Sequence, residues 1–377
     1  MKRVLLLGAT GSIGRQSLDI IDKYNDEFVL TSFSVGHHHE VIEKLIEKYK
    51  SVTHIYLLDE NKAAYYQGKY PHIIFYSGKK GLIKLVKSAS YDIAINALVG
   101  FVGARPAIEI IKRNKILCLA NKEALVTAGE IINKLLNKGK GKLYPIDSEH
   151  VALAKCLKNV NKDDVESLYL TASGGALRNV PIDQLKFKKA EDALKHPNWK
   201  MGDKITIDCA TMMNKGFEII EAYYLFSYPL DQIKVMMHDE SLVHSFIKLK
   251  DGTYIVDYGK PDMHKCIEYA IKEGNVEDDV VHLKSLDELN DCHFHEYDEM
   301  RYPLTAFAKE NIKYPSKLVA LNAANEVAVN RYLHDNIFFT DIYTIVKRIV
   351  DNTKAKKHLS FNQIKKIDKI ARKEALR

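Results

Sequence analysis

The sequence predicts an α/β protein that begins with a doubly wound parallel sheet. Three observations support this fold class. Short β-branched runs alternate with amphipathic stretches over the first 145 residues, a glycine-rich turn follows the first run, and the pattern changes after residue 147. A chain of 377 residues is long enough for two or three domains. We therefore expect an α+β domain and a C-terminal helical bundle to follow the sheet.

Six strands are predicted in the N-terminal sheet, over residues 4–7, 28–35, 54–58, 93–97, 116–119 and 143–146. Between the second and third strands, residues 40–49 place apolar side chains at helical spacing. Because parallel strands need crossover connections, this alternation of strands and helices indicates a doubly wound sheet.

Four segments are predicted along the chain. The sheet domain covers residues 1–147, and residues 148–260 form a second domain with strand-like segments, Gly-rich turns and one long polar-striped helix. Residues 195–203 within it are expected to form a lid loop. A connecting arm is predicted over 261–300 and a helical domain over 301–377.

The composition is that of an ordinary globular protein, with 46% hydrophobic and 28% charged residues. No apolar run approaches the roughly 20 residues of a membrane helix, so no membrane anchor is expected. The five cysteines are an odd number without a C-x-x-C pair, which argues against disulfides and zinc-thiolate sites and indicates a reducing, cytoplasmic compartment. The net charge of +7 is spread along the chain, which suits phosphorylated small molecules rather than nucleic acid.

The turn over residues 8–14 is a candidate dinucleotide site of a Rossmann-like fold. It joins the first strand to the first helix, where backbone N–H groups can approach a pyrophosphate. The candidate contacts are Thr10, Gly11, Ser12 and Ile13. The spacing G-x-x-G-x-x-G is a weak signal alone, and a turn that serves only tight packing is the alternative.

The end of the second predicted strand favours NADPH over NADH. An NAD site usually places an acidic residue there, whereas this chain has Gly36, His37 and His38 and no carboxylate before Glu40. Histidines can donate hydrogen bonds to a 2′-phosphate and carry positive charge near it. Exposed loop histidines without a role, or a metal site over 37–39, are the alternatives.

Asn121, Lys122 and Glu123 follow another predicted strand, at the edge where strand carboxyl ends face a cofactor crevice. They are therefore candidate cofactor contacts. The alternative is a helix N-terminus with an acidic first turn.

Two distant stretches carry acidic residues suited to a metal ion. Asp147 and Glu149, two apart in a chain expected to be extended, point to the same side, although Ser148 could equally cap a following helix. In a helix over 211–222, Glu218 lies on a polar face that would ordinarily be solvent-facing. Together the three carboxylates offer oxygen donors to a hard cation such as Mg²⁺ or Mn²⁺, with Co²⁺ as a further candidate.

Two loops are candidate substrate contacts. Residues 173–175 form a small-residue turn after a strand, which suits an oxyanion. Residues 196–202 hold Trp199, the one tryptophan of the sequence, between Pro197 and Gly202. A tryptophan usually lies in a core, but these neighbours predict a loop, and a lid over a substrate is the functional interpretation.

Taken together, these segments resemble the 1-deoxy-D-xylulose 5-phosphate reductoisomerase family. The resemblance rests on Asp-Ser-Glu-His, His-Pro-Asn-Trp and Met-Asn-Lys-Gly-x-Glu in the family's order, and it covers almost the whole chain. The matching segments are residues 8–14, 120–123, 145–150, 173–175, 196–202, 204–221, 259–263 and 322–329.

The resemblance implies an N-terminal NADPH domain, a catalytic domain with a lid, a connecting arm and a helical bundle in a homodimer. It implies catalytic roles for Asp147, Glu149, Glu218, His196 and Lys215, the first three as metal ligands. The implied substrate contacts are Ser148, Glu149, Ser173, His196, Trp199, Cys209, Asn214, Lys215 and Glu218, with Ser173, Asn214 and Lys215 on the phosphate. Gly202 joins the candidate cofactor contacts, and Trp199 is expected near the nicotinamide.

The implied reaction has two steps on a sugar phosphate. A divalent metal chelates the ketone and neighbouring hydroxyl oxygens while the carbon skeleton rearranges to an aldehyde, and NADPH then reduces that aldehyde to 2-C-methyl-D-erythritol 4-phosphate. An NAD(P)-dependent dehydrogenase of a phosphorylated metabolite, without rearrangement, is the alternative. A non-catalytic nucleotide-binding regulator is a third hypothesis.

Three features depart from the family pattern. Cys209 stands where the family usually has a serine that grips the phosphate, and a thiol is a weaker donor. The family's His-Pro-Gln-Ser stretch reads His-Asp-Glu-Ser over residues 238–241, which adds two acids. The histidines at 37–39 are unusual for a 2′-phosphate pocket.

Overall fold

The computed structural model describes residues 1–199, 201–277 and 280–377. The described residues form two compact units, each with its own buried core. The first unit consists of Met1–Ala124, Ile131–Asp147 and Asp262–Val276, and the second consists of Leu125–Glu130, Ser148–Pro261 and Glu277–Arg377. Across these residues, no helix combines the length and apolarity needed to cross a membrane.

The first unit contains a seven-stranded sheet within the described residues, in the order β4-β3-β2-β1-β5-β6-β7. Every neighbouring pair is parallel, and the order reverses at β1, so the predicted doubly wound sheet is confirmed. The strands are β1 (Lys2–Leu7), β2 (Phe28–Val35), β3 (His54–Leu57), β4 (Ile74–Tyr76), β5 (Ile93–Asn96), β6 (Ile116–Leu119) and β7 (Lys142–Pro145). The connecting helices are α1 (Ser12–Lys23), α2 (Ile42–Lys48), α3 (Glu60–Lys69), α4 (Gly78–Ser88), α5 (Ala104–Lys112) and α6 (Lys122–Leu136).

Strand β4 was not among the strands predicted from the sequence. This edge strand has three residues, and Ile74 is 48% exposed, so it lacks the buried β-branched run by which the other strands were found. The predicted strand over 143–146 begins and ends one residue earlier, and the strand over 93–97 ends at Asn96.

The second unit contains a mixed sheet in the order β12-β11-β10-β8-β9-β13. Strands β8 and β9 are parallel and the other pairs are antiparallel. Its strands are β8 (Val165–Ala172), β9 (Ile233–Met237), β10 (Val243–Leu249), β11 (Tyr254–Tyr258), β12 (Val280–Leu283) and β13 (His295–Glu296). The helices from residue 148 onward are α7 (Ser148–Cys156), α8 (Ala190–Ala193), α9 (Asp203–Ala210), α10 (Met213–Phe226), α11 (Met263–Ile271), α12 (Pro303–Asn311), α13 (Pro315–Leu333), α14 (Asp341–Asp351) and α15 (Phe361–Ala375).

The predicted helical segment after residue 301 is α12–α15, in which α13 packs against α14 and α15. The arm predicted over 261–300 has two parts, and residues 278 and 279 within it lie outside the described residues. Helix α11 belongs to the first unit and packs against α1, whereas β12 and β13 extend the second sheet. The four-domain division stays a prediction.

The glycine-rich turn after β1 shows why two of its glycines are needed for packing. Gly8 has φ +89°, and a Cβ there would lie 2.7 Å from the Ala97 carbonyl oxygen. A Cβ at Gly14 would lie 2.1 Å from the Gly8 carbonyl oxygen, so α1 can approach β1 only if residue 14 is glycine. A Cβ at Gly11 would meet its nearest atom at 3.6 Å, an ordinary contact. The packing of the chain therefore does not explain Gly11.

We predict that Gly14→Ala lowers the free energy of unfolding by about 1–3 kcal/mol, because the added methyl group must push α1 away from β1. Urea denaturation monitored by circular dichroism measures this change. Gly11→Ala is the matched control and should leave the unfolding free energy nearly unchanged. Equal destabilisation by the two substitutions would contradict the packing argument.

Candidate active site

Three carboxylates from two distant stretches of the chain lie together. Glu149 is in the first turn of α7, and Glu218 is in the middle of α10. Asp147 is the residue bonded to Ser148, the first residue of α7, so the chain itself sets its position beside Glu149. One carboxylate oxygen from each of the three lies within 4.8 Å of the others.

The expected reason for this proximity was wrong in one respect. Asp147 and Glu149 were expected to share a side of an extended chain, but the chain is helical from Ser148. The helix begins at Ser148 rather than after it, and the Ser148 hydroxyl donates to Glu149 Oε2 over 2.5 Å. The two carboxylates are close because Asp147 directly precedes α7 and Glu149 lies in its first turn.

Helix α10 is buried rather than solvent-facing. Glu218 has no exposed surface, and the interpretation of its polar face as a solvated one is wrong. Helix α10 is covered on more than one face: α12 packs against it at Gly216, where a Cβ would lie 2.8 Å from the Ala308 Cβ, and α7 and α9 also pack against it. Tertiary packing therefore places the carboxylate of Glu218 in the protein interior.

Lys215 supplies positive charge between two of the carboxylates. Its ammonium lies 3.2 Å from Glu149 Oε1 and also contacts Glu218 Oε2. The side-chain amide of Asn214 donates to the other oxygen of Glu218. Buried charges are tolerated when they are paired and hydrogen-bonded, so these contacts offset the cost of burying the carboxylate of Glu218.

Asp147 has a lysine partner of its own. Lys122, the first residue of α6, contacts Asp147 Oδ2, and both side chains are largely buried. Lys122 was predicted as a cofactor contact, and its place at a helix N-terminus matches the alternative given for residues 121–123. Its ammonium neutralises part of the charge of Asp147.

A second group of possible metal ligands shares Asp147. Among the described residues, Asp147, His150 and Glu221 also bring ligand atoms within 4.8 Å of one another. His150 is buried, with Nε2 3.0 Å from the Glu218 carbonyl oxygen and Nδ1 3.8 Å from Glu221 Oε2. Sequence reasoning overlooked His150. Its position next to Glu149 and the i+3 spacing of Glu221 from Glu218 were the signals that could have found this group.

The turn after β8 forms a cradle of small residues. Gly174 and Gly175 have φ +76° and +68°, which only glycine adopts without strain. The Ser173 hydroxyl accepts from the Gly175 N–H over 3.4 Å. A Cβ at Gly175 would lie 2.7 Å from the Ala210 Cα, so the turn packs on the end of α9 beside Cys209. This places Ser173 and Cys209 in one region.

The predicted lid over 195–203 lies outside helices and strands up to α9, and Lys200 within it lies outside the described residues. His196 organises this segment: its Nδ1 accepts from the backbone N–H groups of Asn198 and Trp199 over 3.2 and 3.1 Å. Its Nε2 lies 3.3 Å from the Ser173 hydroxyl oxygen. Since Nδ1 is an acceptor, the neutral ring carries its proton on Nε2 and donates it to Ser173.

Burial lowers the pKa of His196 below its ordinary value of 6.5, and the positive charge of Arg178 lowers it further, while Glu149 acts in the opposite direction. The folded protein therefore favours the neutral ring. That is the form in which Nδ1 can accept the two backbone N–H groups.

The predicted cofactor contacts other than Gly202 follow β1, β2 and β6, at the carboxyl edge of the first sheet. Helix α1 begins after Gly11, and none of the described side chains caps it, so no described side chain competes with an anion for its first N–H groups. Gly36, His37 and His38 follow β2 and are exposed. Gly202 precedes α9 in the second unit and is exposed.

Asn121 has a structural role at the same edge. Its side-chain amide donates to the carbonyl oxygens of Leu98 and Gly100, and to Glu123. These bonds join the loop after β5 to the start of α6. Its role in cofactor binding stays a prediction.

Comparison of the sequence with family models identifies the family of the chain. Residues 4–129 match the family model described as 1-deoxy-D-xylulose 5-phosphate reductoisomerase. Residues 143–226 match the model of the C-terminal domain of the same enzyme. Residues 258–374 match the model described as the DXP reductoisomerase C-terminal domain.

The chain belongs to the 1-deoxy-D-xylulose 5-phosphate reductoisomerase family. A family member of that name from Geobacillus sp. (strain WCH70) is 40% identical over 374 residues, which cover 98% of this chain and 97% of the relative. Another, from Caldanaerobacter subterraneus subsp. tengcongensis, is 39% identical over 381 residues, which cover 100% and 99% of the two chains. The family predicted from the sequence, and its class as an oxidoreductase, are confirmed.

Solved structures of this family have the same fold. A DOX-P reductoisomerase in complex with NADPH, fosmidomycin and magnesium is 32% identical and has a TM-score of 0.90, covering 100% of this chain and 98% of that one. The reductoisomerase from Zymomonas mobilis in complex with NADPH is 30% identical with a TM-score of 0.88, covering 99% and 98%. The predicted fold class is confirmed by these neighbours.

We predict that acidification releases the segment held by His196. Because the folded-state pKa is lowered, the neutral ring stabilises the folded state above pH 6.5, and this contribution is lost as the pH falls through the lowered folded value. The protonated Nδ1 no longer accepts from Asn198 and Trp199. The fluorescence of Trp199 should therefore change with a midpoint below pH 6.5.

The control is His196→Asn, whose side-chain oxygen can accept the same N–H groups but does not titrate. The acid transition of Trp199 fluorescence should be absent from this variant. An identical transition in the two proteins would assign it to another group.

Proposed function

We propose that this protein is an NADPH- and divalent-metal-dependent reductoisomerase that converts 1-deoxy-D-xylulose 5-phosphate to 2-C-methyl-D-erythritol 4-phosphate, a step in isoprenoid precursor synthesis. The observation that carries the proposal is the cluster of Asp147, Glu149 and Glu218, with oxygens within 4.8 Å of one another. Family membership and the NADPH and magnesium of the solved relative support it.

The donor set fits a hard divalent cation. All three proposed ligands are carboxylates, which suit Mg²⁺ and Mn²⁺ better than softer metals. Asp147, Glu149 and Glu218 would hold the ion. When bound, it would supply positive charge that stabilises the negative oxygens of the substrate during rearrangement.

The turn over residues 8–14 fits a dinucleotide. Packing does not require a glycine at residue 11, because a Cβ there would make only an ordinary contact. The uncapped start of α1 offers N–H groups to a pyrophosphate. We propose that Thr10, Gly11, Ser12 and Ile13 hold it. NADPH would supply the hydride for the reduction step. His37 and His38 would donate to its 2′-phosphate.

Side chains of the second unit would bind the other end of the substrate. Ser173, Asn214 and Lys215 are the proposed phosphate contacts, with Cys209 beside them. The Ser173 hydroxyl oxygen already accepts from Gly175 N–H and lies within reach of His196, so its own proton remains to donate to a phosphate oxygen. Binding of the phosphate would orient the reacting carbons and so lower the entropic cost of reaching the transition state.

We predict that Glu149→Gln lowers turnover of 1-deoxy-D-xylulose 5-phosphate by about 100-fold or more, because it removes one anionic ligand from the cation site. The assay follows the loss of NADPH absorbance with and without Mg²⁺, and a parallel titration measures NADPH affinity, which should stay near normal. Glu191→Gln, on the exposed face of α8, is the matched control. Full turnover by Glu149→Gln would refute the metal role.

Cys209→Ser should lower the KM for the sugar phosphate by about 3- to 10-fold, because a hydroxyl donates a stronger hydrogen bond to phosphate than a thiol does. Steady-state kinetics at saturating NADPH measure the change. Cys292→Ser makes the same exchange at another partly exposed cysteine and should leave the KM as it is. A KM that rises in Cys209→Ser would show that the thiol is not a weakened phosphate contact.

A further inference from the structure

The loop over residues 238–241, hereafter the anchor loop, follows β9 and is held by its own histidine. His238 Nε2 accepts from the backbone N–H groups of Leu242 and Val243, each over 3.1 Å. Its Nδ1 lies 3.0 Å from the His293 carbonyl oxygen, and its ring stacks on Phe294 with centroids 4.7 Å apart. The side chain of His238 is buried. The anchor loop is therefore a fixed platform within the second unit.

Asn198 attaches the segment of His196 and Trp199 to this platform. Its side-chain NH₂ group donates to the Asp239 carbonyl oxygen and to the Ser241 hydroxyl oxygen, each over 2.8 Å. Both hydrogens of the amide are thus used. The backbone N–H of the same residue donates to His196 Nδ1, so a single residue connects the anchor loop with the histidine that faces Ser173.

Arg178 connects the anchor loop with the phosphate cradle. Its Nη1 donates to the Ser173 carbonyl oxygen over 3.2 Å and to the Asp239 carbonyl oxygen over 3.3 Å. Its Nε also lies 3.5 Å from Asp239 Oδ2. The Asp239 carbonyl oxygen therefore accepts from both Arg178 and Asn198, so one acceptor joins the turn of Ser173 to the segment of His196.

The acidic side chains of the anchor loop belong to the same arrangement. They stand where the family's stretch has Pro-Gln: Asp239 pairs with Arg178, and Glu240 lies 2.6 Å from His293 Nδ1. The first acid is oriented toward the cradle and the second toward the segment after β12. The two acids thus add negative charge to the anchor loop, but their carboxylates pair with Arg178 and His293 and not with Asn198.

We propose that Asn198 is a positioning residue for substrate binding, which fixes His196 and Trp199 relative to Ser173 by fastening them to the anchor loop. The expected change in KM rests on the proposed function, whereas the hydrogen bonds of Asn198 to the anchor loop do not depend on it. The amide is required because the anchor loop presents two oxygens, a carbonyl and a hydroxyl, and only a side chain with two N–H groups donates to both.

Asn198→Asp tests the proposal with a side chain of the same shape that lacks both N–H donors and adds negative charge beside the Asp239 carbonyl. The KM for 1-deoxy-D-xylulose 5-phosphate should rise about tenfold while kcat changes much less, because the lost contacts position groups that bind substrate. Loss of folded protein would instead lower the apparent kcat and leave the KM unaltered. Asn290→Asp makes the same charge change on an exposed loop and is the matched control.

A second readout needs neither substrate nor activity. Acrylamide should quench Trp199 more strongly in Asn198→Asp than in the wild-type protein or in Asn290→Asp, since the tryptophan is no longer held near His244, whose ring centroid lies 6.0 Å away. Ser241→Ala removes one of the two acceptors without touching the segment itself, so it should show the same change in smaller degree.

The outcomes separate the two proposals. Unchanged quenching in both Asn198→Asp and Ser241→Ala overturns the anchoring role, as does an unchanged KM in a variant that turns over normally. A wild-type protein that fails to turn over the sugar phosphate with NADPH and Mg²⁺ overturns the proposed function, and quenching then decides the anchoring role alone.

Discussion

The pairing of buried charges in the second unit is the constraint on which the site depends. Glu218 has no exposed surface, so its carboxylate can stay ionised only beside a positive charge and hydrogen-bond donors. Lys215 and Asn214 supply these from the preceding turn of α10, and Lys215 also reaches Glu149. Removing one partner of such a buried pair typically costs about 3–5 kcal/mol. The carboxylates that suit a divalent cation are therefore stable only if the fold keeps α10, with Lys215 and Asn214, in place.

That support comes from the helices near the C-terminus. The contact of Gly216 with Ala308 lets α12 approach α10 closely, and Thr305 satisfies the carbonyl of Met212, which has φ +58°. Helix α10 is thereby fixed along the face of Gly216, while α7 and α9 also pack against it. Residues 148–260 and 301–377 accordingly lie within one compact unit. The helical segment shapes the site although none of the proposed ligands belongs to it.

The sequence predicted most of the first sheet and named the three carboxylates that lie together, for reasons that can be traced to single residues. Strands such as β2 were found because they are buried β-branched runs, whereas β4 is a short exposed edge. Glu218 was found by its spacing in a helix, but its burial depends on the elements that pack around α10, which spacing does not reveal. The contacts of Asn198 with Asp239 and Ser241 join residues about 40 apart with no periodic pattern, so only the fold shows them.

Among the described residues, two overlapping groups of possible metal ligands share Asp147, one completed by Glu149 and Glu218 and the other by His150 and Glu221. A Mn²⁺ titration followed by electron paramagnetic resonance, on wild-type protein, Glu218→Gln and Glu221→Gln, decides which of the two groups holds the ion. We expect one ion per chain in the wild type, loss of that ion in Glu218→Gln and its retention in Glu221→Gln. Binding that survives in Glu218→Gln and disappears in Glu221→Gln would contradict this expectation.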